Sequence, residues 1–336
     1  MTSRPVHMPC GYVTRVDACA QHGLACPLVR TSPSGESMSD SGSMGLLRAL
    51  FSHPLAKLVI GLVAVIGAMM VAGIGWELAI NPLGWGPWGE VARALVLVGV
   101  AMLAYAAFVR WIERRPGTDF GRRGAVSEWA IGVALGFAAI SLTVAVIASL
   151  GGYRITGWNP PSVLVPVLAL AIFSGVFEEI VMRGLVFRML EEWLGSWTAL
   201  ALSALLFGLL HLMNPNATLL AAAAISLEAG ILLGALYMLT RRLWMAIGLH
   251  MAWNFTQGGI YGINVSGIEV PGLLFNTMQG PPLLTGGAFG AEASLPAIVI
   301  CTSLGLWVLY RAHRKGRFVA ASWQRFRTGR AAPAQA

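Results

Sequence analysis

The chain alternates long apolar runs with short polar joints. Runs near the roughly 20 residues that a helix needs to cross a bilayer fall at 58–74, 91–109, 128–150, 163–190, 197–213, 219–239, 244–263 and 295–310. This pattern predicts an all-α, polytopic membrane helical bundle with about eight transmembrane helices. Residues 1–45 are small and polar, and they read as a disordered N-terminal tail with no apolar leader core. Met38 and Met44 precede the first run, and either would serve as the true start. The remainder divides into N-terminal spans (46–160), a polar-studded core (161–265), and a last section (266–336) of loop, final span and basic tail. The joint at 264–294 is Gly- and Pro-rich and long for a connection, so it reads as a re-entrant or capping segment.

Charge fixes an orientation. Arg110, Arg114, Arg115, Arg122 and Arg123 follow the second run. Arg241 and Arg242 end the sixth, and Arg311, Arg314, Lys315 and Arg317 follow the eighth. The intervening joints hold almost no Lys or Arg, and their Trp76, Trp85, Trp88 and Trp158 suit an interfacial belt. The positive-inside rule then puts both termini in the cytoplasm, for a multi-pass protein of the cell's inner (plasma) membrane. His53 and His313 fall at span ends. Gly230 and Gly234 form a small-xxx-small pair on the sixth run, suited to close packing within the bundle.

Composition supports the membrane reading. The 336 residues are 56% hydrophobic and 11% charged, against about 25% charged in soluble domains. The net charge of +8 would suggest nucleic acid in a soluble protein. Here it sits in joints between spans, so the partners are the lipid bilayer and a membrane peptide, with no nucleic acid. Cys10, Cys19 and Cys26 lie in the tail with His7 and His22, at spacings that fit neither a metal site nor a disulfide framework. The methionines read as core filler.

The stretch 171–190, AIFSGVFEEIVMRGLVFRML, is apolar enough to span yet carries Glu178, Glu179 and Arg183. A charge at the bilayer centre costs about 2.5–17 kcal/mol depending on the reference, so each needs a partner or a task. Glu179 and Arg183 stand four apart on one helix face and can pair. Glu178 lies about 100° round the helix. It is left pointing elsewhere and needs a group from another helix.

Three more polar residues break the apolar pattern: His211 in FGLLHL, four after Phe207, and His250 with Asn254 in GLHMAWNF. At about 1.5 Å per residue, Glu178, His211, His250 and Asn254 lie about 20, 24, 12 and 18 Å from the cytoplasmic boundary, close enough to form one layer. A carboxylate in a partly wet cavity suits a general base, and an imidazole beside it can shuttle a proton. A second His and an Asn amide offer donors to an oxyanion. That set is sufficient to hydrolyse an amide with water. Two His and a carboxylate (Glu178, His211, His250) can also ligate a divalent metal, commonly zinc, and the spacing decides neither way. Ser174 and Ser203 read as helix–helix hydrogen bonds, as does Glu228 on the sixth run, with gating or transport as its other role.

EExxxR (Glu178, Glu179, Arg183), FxxxH (Phe207, His211) and HxxxN (His250, Asn254), in that order on separate helices, resemble the CPBP intramembrane protease family. That family includes the type II CAAX prenyl endopeptidases and the bacterial Abi, or bacteriocin-immunity, proteins. The resemblance covers 163–263. It implies that Glu178 activates water with His211, that His250 and Asn254 stabilise the oxyanion, and that Glu179, Arg183 and Phe207 support them. It also implies endopeptidase activity on membrane-associated, lipidated or bacteriocin-type peptides. The alternative is a non-catalytic immunity factor, scaffold or transporter on the same helices. All the core groups are kept, which favours the enzyme, and paired broken helices of a transporter are not evident.

Overall fold

Each apolar run becomes a helix because a backbone in lipid must bond to itself. The structure, a computed structural model, describes residues 52–328. The tail cysteines, His7, His22, Met38 and Met44 lie outside the described residues. In chain order the long helices are α1 (Pro54–Ala79), α2 (Pro87–Phe108) and α3 (Ala125–Ser149), then α4 (Pro161–Leu194), α5 (Ser196–Leu210), α6 (Leu219–Thr240), α7 (244–260) and α8 (Leu295–Arg314). Among the described residues, seven are long and apolar enough to cross a membrane. The eighth, α7, is the short one: 11 α-helical residues, Trp244–Asn254, run into 6 in π geometry, Phe255–Ile260. It still crosses the bundle. Trp244 Nε1 donates to Gly121 O at 3.1 Å at one end, and at the other the chain turns at Tyr261, whose carbonyl accepts from Tyr153 Oη at 2.9 Å.

Close helix contact is built from small residues. A Cβ on Gly248 of α7 would sit 2.3 Å from Trp129 O, and one on Gly136 of α3 would sit 2.3 Å from Leu249 O. Bare backbone at both positions lets α3 and α7 touch. Gly230 and Gly234 do the same for α6 against α5, where a Cβ would meet Ala204 at 2.8 Å and Leu200 at 2.6 Å. This is the internal packing expected of that pair. Met182, Met189 and Met238 are core, but Met70 and Met213 are 63% and 84% exposed, so the methionines are filler only in part.

The basic joints meet at one end of the bundle. Lys57 pairs with Glu192 at 3.2 Å, and Arg242 with Glu128 at 3.0 Å. Arg241 grips both oxygens of Glu191, at 2.5 and 3.1 Å. Arg115 pairs with Asp119 at 2.6 Å and Glu113 at 3.0 Å, and Arg188 pairs with Glu113 as well. Burial alone would lower the Arg115 pKa, but Asp119, Tyr105 and Glu113 outweigh it and raise it. His53 caps α1, accepting from Leu55 N at 3.2 Å, and His313 packs edge-on to Phe318.

At the other end, 264–294 forms a cap. Its strand β2 (Leu274–Met278) pairs antiparallel with β1 (Tyr153–Trp158), with a bulge between Ile155 and Gly157. This sheet was not expected from the apolar pattern. Asparagine amides fasten the cap to the helices: Asn214 donates to Ser266 O at 3.1 Å, Asn216 to Gly267 O at 3.1 Å and Asn159 to Gly272 O at 2.8 Å.

Candidate functional site

The site begins where α4 changes geometry. It is α-helical through Glu179 and then runs as a π segment from Ile180 to Phe187. Segments of this kind cluster at functional sites, and here two more flank the same region: Ser226–Gly230 in α6 and Phe255–Ile260 in α7. A π turn leaves carbonyls with weakened partners, and side chains satisfy them. Arg183 Nη2 donates to Ala229 O at 3.1 Å. Gly184 O accepts from Arg188 Nε at 3.0 Å and Tyr105 Oη at 3.3 Å.

The two adjacent carboxylates separate as the helix faces required. Glu179 is fully buried and accepts from Arg183 Nη1 at 2.8 Å. The same Oε1 lies 3.0 Å from His250 Nδ1. Glu178 is turned away, with its side chain 31% exposed, and its Oε2 lies 3.8 Å from His250 Nε2. That distance is inside ion-pair range and beyond a hydrogen bond. His250 thus stands between the carboxylates, with Nδ1 anchored on Glu179 and Nε2 facing Glu178. Gly175 permits this approach of α4 to α7, since a Cβ there would lie 2.4 Å from Met251 Cγ.

His211 ends α5. Its Nδ1 is 2.8 Å from Phe207 O, and because a carbonyl only accepts, Nδ1 is the donor and Nε2 is left without that partner. Phe207 lies under the Arg183 guanidinium at 4.7 Å and edge-on to His211 at 4.7 Å and to His250 at 6.2 Å. Asn254 Nδ2 donates to Ser174 Oγ at 2.9 Å, so Ser174 makes the interhelical bond expected of it. Ser203 does not: its hydroxyl donates to Leu200 O of its own helix at 3.3 Å.

These residues share two adjoining spaces. Glu178 and His211 line a groove of about 300 Å³ with Phe177, Met182, Met213 and Asn214. His211, His250 and Asn254 line an inner cavity, with Phe207 common to both. All seven residues singled out by the motifs are therefore in one neighbourhood. No group of three or more His, Cys, Asp or Glu side chains among the described residues is arranged to hold a metal ion.

Sequence reasoning misread one residue and missed another. Glu228 is not the interhelical hydrogen-bond partner expected: its Oε2 is buried with no partner among the described residues, and the side chain lines the inner cavity. It sits inside the π turn Ser226–Gly230. Glu292 of the cap lines the same cavity. Its Oε2 accepts from Trp253 Nε1 at 3.3 Å, and its Oε1 accepts from the Ser266 backbone N–H. Burial pushes the Glu292 carboxyl above the usual range, against the opposing pull of His211. A lone carboxylate set among alanines at the end of a Gly-rich joint was the signal available in the sequence.

Residues 160–256 match the family model described as "Type II CAAX prenyl endopeptidase Rce1-like", and all three motifs lie inside the match. No curated protein and no solved structure matches the chain.

Proposed function

On the premise that residues 160–256 are a CPBP-type intramembrane protease segment, we propose that the chain is an endopeptidase. It hydrolyses membrane-associated peptides, lipidated or bacteriocin-type, with an attacking water held between Glu178 and His211. The observation that carries this is the placement of His250 between two carboxylates of unlike environment, 3.0 Å from one and 3.8 Å from the other. Glu179 is neutralised by Arg183, which leaves Glu178 to take a proton.

The steps follow from the side chains. A water in the groove gives a proton to Glu178 while His211, through its free Nε2, orients it. The hydroxide adds to the scissile carbonyl. The resulting oxyanion is met by the Asn254 amide, whose other N–H is spent on Ser174, and by His250 at its Nε2 edge. Collapse breaks the C–N bond, and the proton on Glu178 passes to the leaving amine. Among the described residues lining the groove of Glu178 and His211, none is a serine or cysteine, so an acyl-enzyme has no support there. No step is routed through a metal.

The test uses purified full-length protein in lipid nanodiscs with a membrane-tethered peptide library. Wild type cleaves. Glu178→Gln loses on the order of 10²–10⁴ in rate, the usual worth of a general base, without a lower melting temperature. His211→Ala and His250→Ala behave similarly. Cleavage by Glu178→Gln at the wild-type rate refutes the role given to Glu178.

A further inference from the structure

Behind the proposed hydrolytic layer stand two carboxylates with no task in it. Glu228 of α6 and Glu292 of the cap, each 2% exposed, continue the wall of the cavity that His211, His250 and Asn254 begin. Glu292 is held on both oxygens, by Trp253 and by the Ser266 backbone N–H. Glu228 is not held in this way: its Oε2 is buried and makes no hydrogen bond among the described residues. Leaving a buried acceptor unmet costs about 1–3 kcal/mol, and more for a charged one. A carboxylate in that position needs a ligand from the cavity it lines.

Size selects the ligand. The cavity offers about 30 Å³ of room for water centres. One water needs at least about 10–15 Å³ and two to four polar partners. Roughly two waters therefore fit. Glu228, Glu292, His211, Asn254 and Ser266 supply the partners. Apart from His250, the rest of the wall, including Leu232, Leu233 and Leu249, is mainly apolar and directs the waters to that polar arc.

We propose that Glu228 and Glu292 form a water-binding compartment behind the hydrolytic layer, whose waters resupply the position between Glu178 and His211. Only the use of the water rests on the proteolytic reading, and its presence does not. Each turnover consumes one water, with hydroxyl going to the new carboxyl and hydrogen to the new amine. Apolar helices wall the site, so a store beside it shortens the supply path. Glu228 is a positioning residue, acting on the reaction through the water it holds.

The compartment is tested in the full-length protein in nanodiscs by radiolytic footprinting, in which bound water itself is the probe. Hydroxyl radicals formed from that water oxidise adjacent side chains, which mass spectrometry reads. Cys301 and Trp253 line the cavity yet are only 1% and 7% exposed. Both are labelled in the wild type. Labelling falls severalfold in Glu228→Leu and persists in Glu228→Gln, which keeps a polar head for the water. No labelling in the wild type, or equal labelling in Glu228→Leu, overturns the proposal.

A kinetic arm tests the supply. In Glu228→Leu, kcat falls about tenfold with KM unchanged, the pattern of an interaction that serves turnover and not binding. The melting temperature does not fall, because a buried unmet acceptor has been removed. Glu228→Gln restores kcat. An unchanged kcat in Glu228→Leu overturns the supply role. So does a joint fall of kcat and melting temperature in both variants, which assigns Glu228 to packing. Intact labelling in a wild type that cleaves no peptide sinks the proteolytic reading and leaves the compartment standing.

Discussion

Adjacent glutamates with opposite surroundings show how far single side chains can be read. Glu179 was assigned to Arg183 by the four-residue spacing, and the pair is found at 2.8 Å. What the spacing could not give is that Glu179 also anchors His250, because that contact depends on how α4 and α7 cross. Two substitutions separate the roles. Glu179→Ala strips Arg183 of its partner in a buried site, which costs about 3–5 kcal/mol, so a large drop in melting temperature is expected. Glu178→Gln leaves that temperature unchanged. Equal melting shifts for the two would contradict the division. Ser174→Ala removes one hydrogen bond that orients the Asn254 amide, worth about 0.5–1.5 kcal/mol. Cleavage should slow roughly 2- to 10-fold with little change in KM, and a loss on the order of 10³ would mean that Ser174 touches the substrate.

At the scale of elements, the apolar pattern placed all eight helices but not their irregular parts. Three π segments interrupt α4, α6 and α7 next to the site, and a 3.6-residue period does not reveal them. Glu228 was misread because the cavity it lines is assembled from several elements distant in the chain. Glycine was legible where it repeated on one run, as at Gly230 and Gly234. The contact of Gly136 with α7 was not, since it joins helices more than a hundred residues apart. Gly248→Ala puts a methyl 2.3 Å from Trp129 O. Overpacking of this kind costs about 1–3 kcal/mol. Because Gly248 is two residues from His250, activity should fall together with thermal stability. A variant with wild-type melting and wild-type turnover would show that α3 and α7 have slack between them.

The molecule as a whole has a polar asymmetry that the loop charges announced. Arg115, Arg188, Arg241 and Arg242 all find their acidic partners at one end, and the other end carries the asparagine-tied cap. We propose that the arginine-rich end faces the cytoplasm. Reporter fusions within 114–123 and at the C-terminus should both read as cytoplasmic, and an external reading for either breaks the eight-crossing arrangement. Metal dependence belongs to this scale too. On the metal-free steps proposed above, exhaustive chelation should leave the cleavage rate unchanged. Lost activity that zinc restores would show that the ligand geometry rearranges.

The fastened cap has a consequence for traffic. A roof stitched down by Asn159, Asn214 and Asn216 and by a strand pair cannot act as a hinged door without breaking several bonds at once. On the proposed function, we infer that a peptide arrives sideways, sliding between helices past Phe177 and Met213 into the groove that they line. On that inference the bilayer, not the capped face, is the corridor to the groove.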